Sequence, residues 1–397
     1  MEKALSYIIV TPCAMSKGRT GGIISRLLSQ ADLELSGAQI ITPSENFARD
    51  YAASIRKQEN KSLNTDAKLL ANYIEKNMSP AKGRCFILLI FSGENPWEKL
   101  SDICGDLYPE ACGLEKASGK TIRDTHADLI LDDSEREKVV YFEPAVISPG
   151  SRELASEHMA LFARHFSNCK NIIQDFSCQD SSCPNHSGIE RTLVIIKPDN
   201  WKYASIKPGA IIDMLSRTGL RIIGTKVFRF SINEALEFYG PVEQTLMEKL
   251  SPVFGKKAKE LLEKEFALNL SAETGKMLGD SFGREYARDE FNKIVEFMSG
   301  RSAASCPPEE TGKPGNAKCM ILVYEGANAV QKIRDVLGPT DPLKAPGGTI
   351  RREFGSSIMV NTAHASDSKE SYEREKDIIK AEENSLFSII DEYLAGS

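Results

Sequence analysis

The sequence predicts an α/β fold of the α+β sandwich type, with two tandem domains that each carry a ferredoxin-like antiparallel sheet covered by helices. Short apolar runs alternate with amphipathic helical patterns along the chain, as expected of a sheet packed against helices. The order strand, helix, strand, helices, strand, helix fits a split βαβ unit. This order occurs twice in the 397 residues, which predicts two domains of one architecture.

Each half opens with a strand, a loop and an amphipathic helix. The first half contains "YIIVTPCAMSKGRTGGIISRLL" and the second "LVIIKPDNWKYASIKPGAIIDML", and both segments pass from an apolar run through Pro to a Gly-containing helix. A second strand follows in "LELSGAQIITPS" and in "LRIIGTKVFRFS". Similar segments in the same order indicate a duplication.

Later segments of the two halves also correspond. The strand and helix in "CFILLIFSGENPWEKLSDICGDLYP" run parallel to those in "CMILVYEGANAVQKIRDVLGPTDP". The halves share "TIR" at 121–123 and 349–351, and "EREK" at 135–138 and 373–376. We therefore expect these short motifs to occupy equivalent places in the two domains.

The predicted domains are residues 1–175 and 190–397, joined by a linker at 176–189. The second domain carries a helical insertion at about 241–288 and a Pro/Gly/Ser-rich loop insertion at about 301–318. The linker contains Cys178, Cys183 and His186. Zinc sites use four ligands in tighter pairs, so we predict a linker here and no metal site.

Bulk composition excludes several classes of protein. The chain is 41% hydrophobic and 27% charged, with a net charge of -6, as in ordinary globular proteins. A general nucleic-acid binder draws its affinity from basic residues, so the acidic balance argues against that class. No apolar run approaches the roughly 20 residues of a membrane span, and the N-terminus reads as a strand rather than a signal peptide. We predict a cytoplasmic protein.

The stretch "NTAHASDS" at 361–368 contains the strongest candidate for chemistry, His364. A neutral imidazole nitrogen is a competent nucleophile near neutral pH, and the small side chains around His364 leave it accessible. Eleven residues later, Glu375 lies in a helix-like stretch. From there its carboxylate could accept a hydrogen bond from one imidazole nitrogen and leave the other free to attack.

Cations upstream of His364 complete a phosphate-binding pattern. They are Lys197, Arg334 and Arg351, with Thr340 as a hydroxyl donor. Fixed positive charge and hydrogen-bond donors stabilise the oxygens that gain charge during phosphoryl transfer. The pattern predicts a site for a polyphosphate.

The second half resembles the nucleoside diphosphate kinase family. It has a strand ending in "KPD", the segment "LGPTDP…APGGTIR" and the signature Asn-x-x-His-x-Ser-Asp-Ser in the family's order, over roughly residues 190–380. The resemblance implies a ping-pong reaction with Mg²⁺ bridging the nucleotide phosphates. ATP or another nucleoside triphosphate would phosphorylate His364, and a nucleoside diphosphate would take the phosphate away.

The resemblance also implies roles for individual residues. It makes His364 the phosphate carrier, with Lys197, Ser366 and Glu375 beside it in the catalytic group. The matches to the family's phosphate and ribose contacts are Lys197, Arg334, Thr340, Arg351 and Asn361. Tyr286 matches a tyrosine near the pocket, and the base-stacking ring falls at Phe291, or at Glu290 if the register differs by one.

The first half lacks most of these groups. Thr11, Ser101 and Leu107 stand opposite Lys197, Arg334 and Thr340, whereas Arg123 is retained opposite Arg351. The segment between "TIRD" and "EREK" is about ten residues shorter than in the second half, and we expect the histidine motif to be missing there. His126 lies nearby without small, hydroxylated neighbours. We predict a degenerate domain that packs with the second half as a pseudo-dimer, in a chain that could form homo-oligomers.

Two hypotheses for function follow. The first is an active nucleoside diphosphate kinase, which the joint presence of nucleophile, cations and supporting Glu375 favours. The second is a nucleotide-binding or scaffolding protein with weak kinase or histidine-phosphorelay activity. It is suggested by the insertion next to the base pocket and by the degenerate first half.

Overall fold

The computed structural model describes residues 4–57, 64–78, 84–107, 119–132, 139–174 and 188–396. Most of the predicted linker, including Cys178, Cys183 and His186, lies outside these ranges, as does the first "EREK" segment at 135–138. No helix within them is both long and apolar enough to cross a membrane.

The first half of the sequence alternates strands and helices as predicted. Its strands are β1 (Ala4–Val10), β2 (Glu34–Ile41), β3 (Phe86–Gly93), β4 (Asp128–Leu131), β5 (Val139–Glu143) and β6 (Val146–Ile147). Its helices are α1 (Pro12–Ser16), α2 (Thr20–Gln30), α3 (Glu45–Arg56), α4 (Asn64–Asn77), α5 (Pro96–Cys104), α6 (Ile122–His126) and α7 (Arg152–Phe166).

The second half repeats this order and adds long helices. Its strands are β7 (Ile189–Ile196), β8 (Arg221–Phe228), β9 (Cys319–Ala327) and β10 (Ala363–Ala365). Its helices are α8 (Lys207–Ser216), α9 (Ile232–Phe266), α10 (Ala272–Leu278), α11 (Arg284–Ser299), α12 (Ala329–Leu337), α13 (Ile350–Phe354), α14 (Lys369–Ile378) and α15 (Leu386–Gly396). A π-helical segment, Gly279–Gly283, joins α10 to α11.

The two main sheets have the same strand order. The first is β2-β3-β1-β6 and the second, read in the same direction, is β8-β9-β7-β10. β1 is antiparallel to both β3 and β6, and β7 is antiparallel to both β9 and β10. The ferredoxin-like α/β sandwich predicted from the sequence is confirmed by this arrangement.

The register of the last strand corrects one expectation about the first half. Ile147 of β6 lies opposite Ile9, as His364 of β10 lies opposite Ile195. The strand that carries the histidine is therefore present in the first half, after residue 138, and Ile147 takes the histidine's place. The histidine is absent, as predicted, but the prediction that the first half lacks this segment is wrong, because the strand follows "EREK". The two "EREK" segments are not equivalent, because one precedes β6 and the other follows β10.

Helices α2 and α8 bring the two halves into close contact. A Cβ atom on Gly21 would lie 2.3 Å from the backbone nitrogen of Asp213, and one on Gly209 would lie 2.2 Å from that of Ser25. Only glycine fits at such a crossing, because real Cβ atoms do not approach backbone so closely. A single core cluster joins the halves, with Ile8 and Val10 from one sheet and Val194, Ile196 and Leu322 from the other.

The compact units of the chain differ from the two predicted domains. The first unit comprises Met1–Val227, Met320–Lys376 and Lys380–Ser397, and the second comprises Phe228–Cys319 and Asp377–Ile379. The first unit thus contains the first half and most of the second sheet. The second unit consists mainly of α9, α10 and α11 and of the loop that follows them, which are the two predicted insertions with their flanks.

The C-terminal helix α15 packs on the first sheet rather than on the second. Leu386, Phe387 and Ile390 are buried in the core cluster that covers the other face of that sheet. Gly37 of β2 makes room for this helix, since a Cβ there would lie 2.3 Å from Leu386 Cδ1. Residues 386–396, predicted as part of the second domain, therefore help to complete the core of the first half.

A buried hydrogen-bond network lies between β1, α3 and α7. Tyr7 Oη lies 2.6 Å from His158 Nδ1 and 2.7 Å from Tyr51 Oη, and Ser54 Oγ lies 3.0 Å from His158 Nε2. His158 is fully buried. Burial lowers the pKa of His158 to about 4, so the network contains a neutral imidazole.

This histidine should make stability depend on pH. In the unfolded chain its pKa is about 6.5, so the unfolded state binds a proton that the native state excludes, and stability falls as pH drops from about 6.5 towards 4. We expect a loss of about 2 kcal/mol in the free energy of unfolding between about pH 7.5 and pH 5 from this group. Urea unfolding at the two pH values would measure it. A His158→Gln variant with the same pH dependence as the wild type would contradict the assignment.

The glycine crossing between α2 and α8 predicts a local intolerance of side chains. Gly209→Ala should lower the free energy of unfolding by about 1–3 kcal/mol, because the added methyl group must push backbone apart. Gly150→Ala is the matched control, since a Cβ there meets nothing within 4 Å. The denaturant midpoints of the two variants would measure this effect, and we expect a lower midpoint for Gly209→Ala. Equal midpoints would show that the helices separate easily.

Candidate active site

His364 is held by a buried carboxylate. Its Nε2 lies 3.0 Å from Oε2 of Glu375, which also accepts a 2.7 Å hydrogen bond from Ser366 Oγ. Glu375 lies on α14 and is only 3% exposed, whereas the imidazole is 24% exposed. Because a carboxylate accepts, we assign the proton to Nε2. This tautomer leaves the lone pair of Nδ1 available as a nucleophile.

The backbone just before β10 has an unfavourable conformation. Thr362 has φ +77°, which is a genuine outlier for a β-branched residue. Its hydroxyl is buried with no hydrogen-bond partner in the described part of the chain. Strain of this kind persists only where the surroundings impose it, and it clusters at functional sites. Here it turns the chain from Asn361 into the short strand that carries His364.

The side chain of Asn200 stabilises this turn through two hydrogen bonds. Its Nδ2 donates to the Lys197 carbonyl at 3.1 Å and to the Thr362 carbonyl at 2.8 Å, and the side chain is 3% exposed. The backbone N–H of Lys197 donates to the same Thr362 carbonyl at 2.9 Å. Sequence reasoning missed Asn200, although its place directly after "KPD" was a usable signal.

The ammonium group of Lys197 has a fixed position. Its Nζ donates to Asn361 Oδ1 at 2.7 Å, and both side chains are at least nine-tenths buried. Asn361 is itself held, because its Nδ2 donates to the carbonyls of Thr340 at 3.2 Å and Ile358 at 2.8 Å. Two of the predicted polyphosphate contacts, Lys197 and Asn361, thus come together near the turn at Thr362.

Arg351 connects the end of α12 to β10. Its guanidinium donates to the carbonyls of Gly338 at 2.8 Å and Ala363 at 3.0 Å. Arg123 makes the equivalent contacts in the first half, to Gly105 and, at 3.2 Å, to Val146. The retained arginine therefore has a framework role in both halves, whatever it contributes to phosphate binding.

The remaining predicted phosphate contacts are exposed. Arg334 lies on α12, and Thr340 follows that helix. Arg334 is close enough to Asp367 to help lower the pKa of that carboxyl group, after the larger effect of a hydrogen bond from Ser371. Asp367 lies three residues after His364, so its proximity to Arg334 places that arginine near the histidine motif.

The two predicted aromatic contacts belong to the second compact unit. Phe291 on α11 is only 3% exposed, so its ring offers no open face to a base. Glu290, the residue at this place if the register differs by one, forms an ion pair with Lys293 at 2.8 Å. Tyr286 is 38% exposed, with its ring 5.5 Å from that of Phe254. Of these residues, Tyr286 has the accessible ring.

The corresponding place in the first half has different chemistry. The Thr11 N–H donates to the Ala145 carbonyl at 3.0 Å, as the Lys197 N–H does to Thr362. Instead of an ammonium group, Thr11 brings a hydroxyl that donates to Oε1 of Glu143 at 2.6 Å. The backbone geometry is retained while the charge is lost.

His126 does not substitute for the missing imidazole. It ends α6, outside β6, and its ring lies 3.1 Å from the place of a Cβ on Gly22. Burial lowers the pKa of His126, and Arg26 and Arg19 lower it further. Its ring therefore packs against α2 and does not occupy the place of Ile147 on β6.

Comparison with known proteins identifies the family. The family model described as nucleoside diphosphate kinase matches residues 282–384. The chain is 31% identical over 187 residues to a nucleoside diphosphate kinase of a Nitratiruptor species, covering 47% of this chain and 92% of that protein. The chain belongs to the nucleoside diphosphate kinase family.

Other members of the family match to a similar extent. The nucleoside diphosphate kinase of Bradyrhizobium diazoefficiens is 31% identical over 182 residues, which are 46% of this chain and 86% of that protein. A crystal structure of the Aquifex aeolicus nucleoside diphosphate kinase is 27% identical and covers 50% of this chain and 97% of its own, with a TM-score of 0.30. The family model lies wholly within the second half, where His364 is found.

The bridge made by Asn200 predicts a kinetic effect. Asn200→Ala removes the two hydrogen bonds that the side-chain amide donates at this turn, and Asn200→Asp places a carboxylate against two carbonyl oxygens. Because misplacing a reacting group by about 1 Å can cost 10²-fold in rate, we expect phosphorylation of His364 to slow by at least about tenfold in both variants. Rapid-quench measurement of phosphoenzyme formation would show it.

Asn46→Ala, on the exposed surface of α3, is the control and should keep the wild-type rate. A purely structural role for Asn200 would lower thermal stability in both variants and leave the single-turnover rate of the folded protein unchanged. That result would remove Asn200 from the positioning of the nucleophile.

Proposed function

We propose that this chain transfers the terminal phosphate of a nucleoside triphosphate to a nucleoside diphosphate through Nδ1 of His364. Nucleoside diphosphate kinase activity follows from membership of the family. The observation that supports this route is the pairing of Nε2 with the buried carboxylate of Glu375. It orients the imidazole so that Nε2 carries the proton and Nδ1 carries the lone pair, and it stabilises the positive charge that the ring gains on phosphorylation.

The reaction consists of two balanced transfers. Nδ1 attacks the γ-phosphorus, the bond to the β,γ-bridging oxygen breaks, and the nucleoside diphosphate leaves with that electron pair. The proton stays on Nε2, where Glu375 accepts its hydrogen bond. In the second transfer a terminal oxygen of the acceptor diphosphate attacks the phosphohistidine, and the N–P bond electrons return to Nδ1. Ser366 keeps the carboxylate in place through both steps.

The cations around the motif would bind the phosphates. Lys197 is preorganised by Asn361, so its charge acts on the transferring group without reorganisation. Arg334 and Thr340 are exposed, as groups that first meet the substrate should be. Mg²⁺ bound to the nucleotide would neutralise part of the phosphate charge. The described residues near His364 fit an ion delivered in this way, because they offer cations for the phosphates and an exposed carboxylate at Asp367.

The substrates and the compartment follow from the same chemistry. ATP and other nucleoside tri- and diphosphates are the proposed partners. We propose the cytoplasm as the location. All the cysteines that the structure describes are free thiols, as expected in a reducing compartment.

We propose that residues 1–175 are a degenerate copy of the catalytic domain at 190–397. The shared strand order and the matching contacts of Arg123 and Arg351 support this interpretation. The contact between α2 and α8 would make the pair a pseudo-dimer within one chain. A homo-oligomer would then be assembled from such pairs.

The alternative is a nucleotide-binding scaffold with weak kinase or phosphorelay activity. The observation that favours it is the buried position of Phe291, which leaves the base without its expected stacking ring. Under this alternative His364 would accept a phosphate, but transfer to a nucleoside diphosphate would be slow.

The decisive experiment follows a labelled phosphate. Protein incubated with γ-labelled ATP and Mg²⁺ should acquire an acid-labile label that passes rapidly to GDP. His364→Ala should lower turnover by at least about a thousandfold, because the covalent route disappears. His126→Ala is the matched control and should label and transfer as the wild type does. A label that forms on His364 but does not pass to GDP would favour the relay. If no label forms on the protein, the proposal is refuted.

A further inference from the structure

A cavity of about 1300 Å³ lies between the two halves, within the first compact unit. Its first-half wall comes from α1, α4 and β5, and its second-half wall from the end of α8 and the start of β8. β8 and β10 form opposite edges of the second sheet, so this cavity and His364 lie at different edges. The space is ample for a nucleotide-sized molecule, since ligand pockets are commonly about 300–1000 Å³.

Glu143 contributes a buried carboxyl group to this cavity. It is 3% exposed, and its Oε1 accepts hydrogen bonds from Thr11 Oγ1 at 2.6 Å and Tyr73 Oη at 2.7 Å. Burial raises the pKa of this carboxyl group, against the opposing effect of those two hydrogen bonds. The phosphate transfer at His364 does not use it. Perturbed carboxyl groups in cavities are typical of binding sites.

Tyr324 on β9 gives a second, independent indication of a ligand. Its side chain is 1% exposed and lines the cavity from the second half. Within the described ranges its hydroxyl has no hydrogen-bond partner. A buried hydroxyl without a partner is unfavourable, and a polar atom of a bound molecule would satisfy it.

Positive charge dominates the rim. The described lining contains four basic residues, Lys17, Lys76, Arg84 and Arg221, and one acidic residue, Glu143. Lys17 is paired with Asp128, and the rim stays positive without it. Arg84 comes from the first half and Arg221 from the second. Both line the same cavity, and Arg221 lies close enough to Cys85 for its charge to oppose the rise that burial causes in the pKa of that thiol.

We propose that this cavity is a second ligand site, which binds a phosphorylated small molecule of nucleotide size between the two halves. Its phosphate groups would lie against Arg84 and Arg221, since guanidinium groups bind phosphate oxygens through paired hydrogen bonds. Its ring or sugar would extend towards Glu143 and Tyr324. The site is separate from the transfer reaction and gives the degenerate half a binding role.

The test counts the ADP molecules that the purified full-length protein binds in equilibrium dialysis. We expect two per chain, one at the His364 site and one in the cavity. The double variant Arg84→Glu, Arg221→Glu should weaken the cavity site at least tenfold and leave the other. The double variant Lys197→Ala, Arg334→Ala should weaken ADP binding at the His364 site and leave the cavity site unchanged. Failure of the transfer site and failure of the cavity site therefore give different results.

Two further variants separate charge from shape. Ser216→Trp, at the end of α8, fills the cavity without changing charge and should also abolish the second ADP. Arg49→Glu, exposed on α3 away from the cavity lining, is the matched charge reversal and should still bind two. Kinase turnover at saturating substrate should stay at the wild-type level in all three cavity and control variants.

Two outcomes would overturn the proposal. One is a single ADP per chain in the wild type, and the other is a second ADP that persists in both cavity variants. Adenosine, which lacks phosphate, should not displace the second ADP. If adenosine competes as well as ADP does, the rim cations do not bind the ligand and the site is not one for a phosphorylated molecule.

Discussion

The geometry of the catalytic centre depends on the pairing of the first strand of the second half with its short last strand. The Lys197 N–H donates to Thr362, Asn200 donates to the same carbonyl, and the left-handed turn at Thr362 then directs His364 towards Glu375. His364 and Lys197 are thereby held by one backbone junction. A rigid junction of this kind preorganises charge and nucleophile before substrate arrives.

The first half retains this junction and has lost its chemistry. Thr11 donates to Ala145 as Lys197 does to Thr362, and Ala145 also has a positive φ of 59°. With Ile147 in the register of His364, neither an imidazole nor an ammonium group remains. The first half thus has the same backbone arrangement with different side chains, and it packs against the second half through α2 and α8.

The histidine motif, the order of the strands and the half that matches the family model were predictable from the sequence. Apolar periodicity is local, and "NTAHASDS" with its upstream segments has a specific spacing. The prediction that the two "EREK" segments are equivalent was wrong, because four identical residues carry no information about strand pairing. The place of α15 was not predictable either, since its amphipathic pattern fits either sheet, and its contacts with the core of the first half, including the space at Gly37, are tertiary.

The sequence by itself therefore determined the family, the repeated strand order and the histidine motif, since each depends on contiguous residues. Only the tertiary structure decided which residue replaces His364 in the first half, that Asn200 holds the turn at Thr362, and that Phe291 is buried. It also created the cavity above Glu143, whose walls come from segments far apart in the chain. These features depend on contacts between distant residues, for which local pattern and propensity carry no signal.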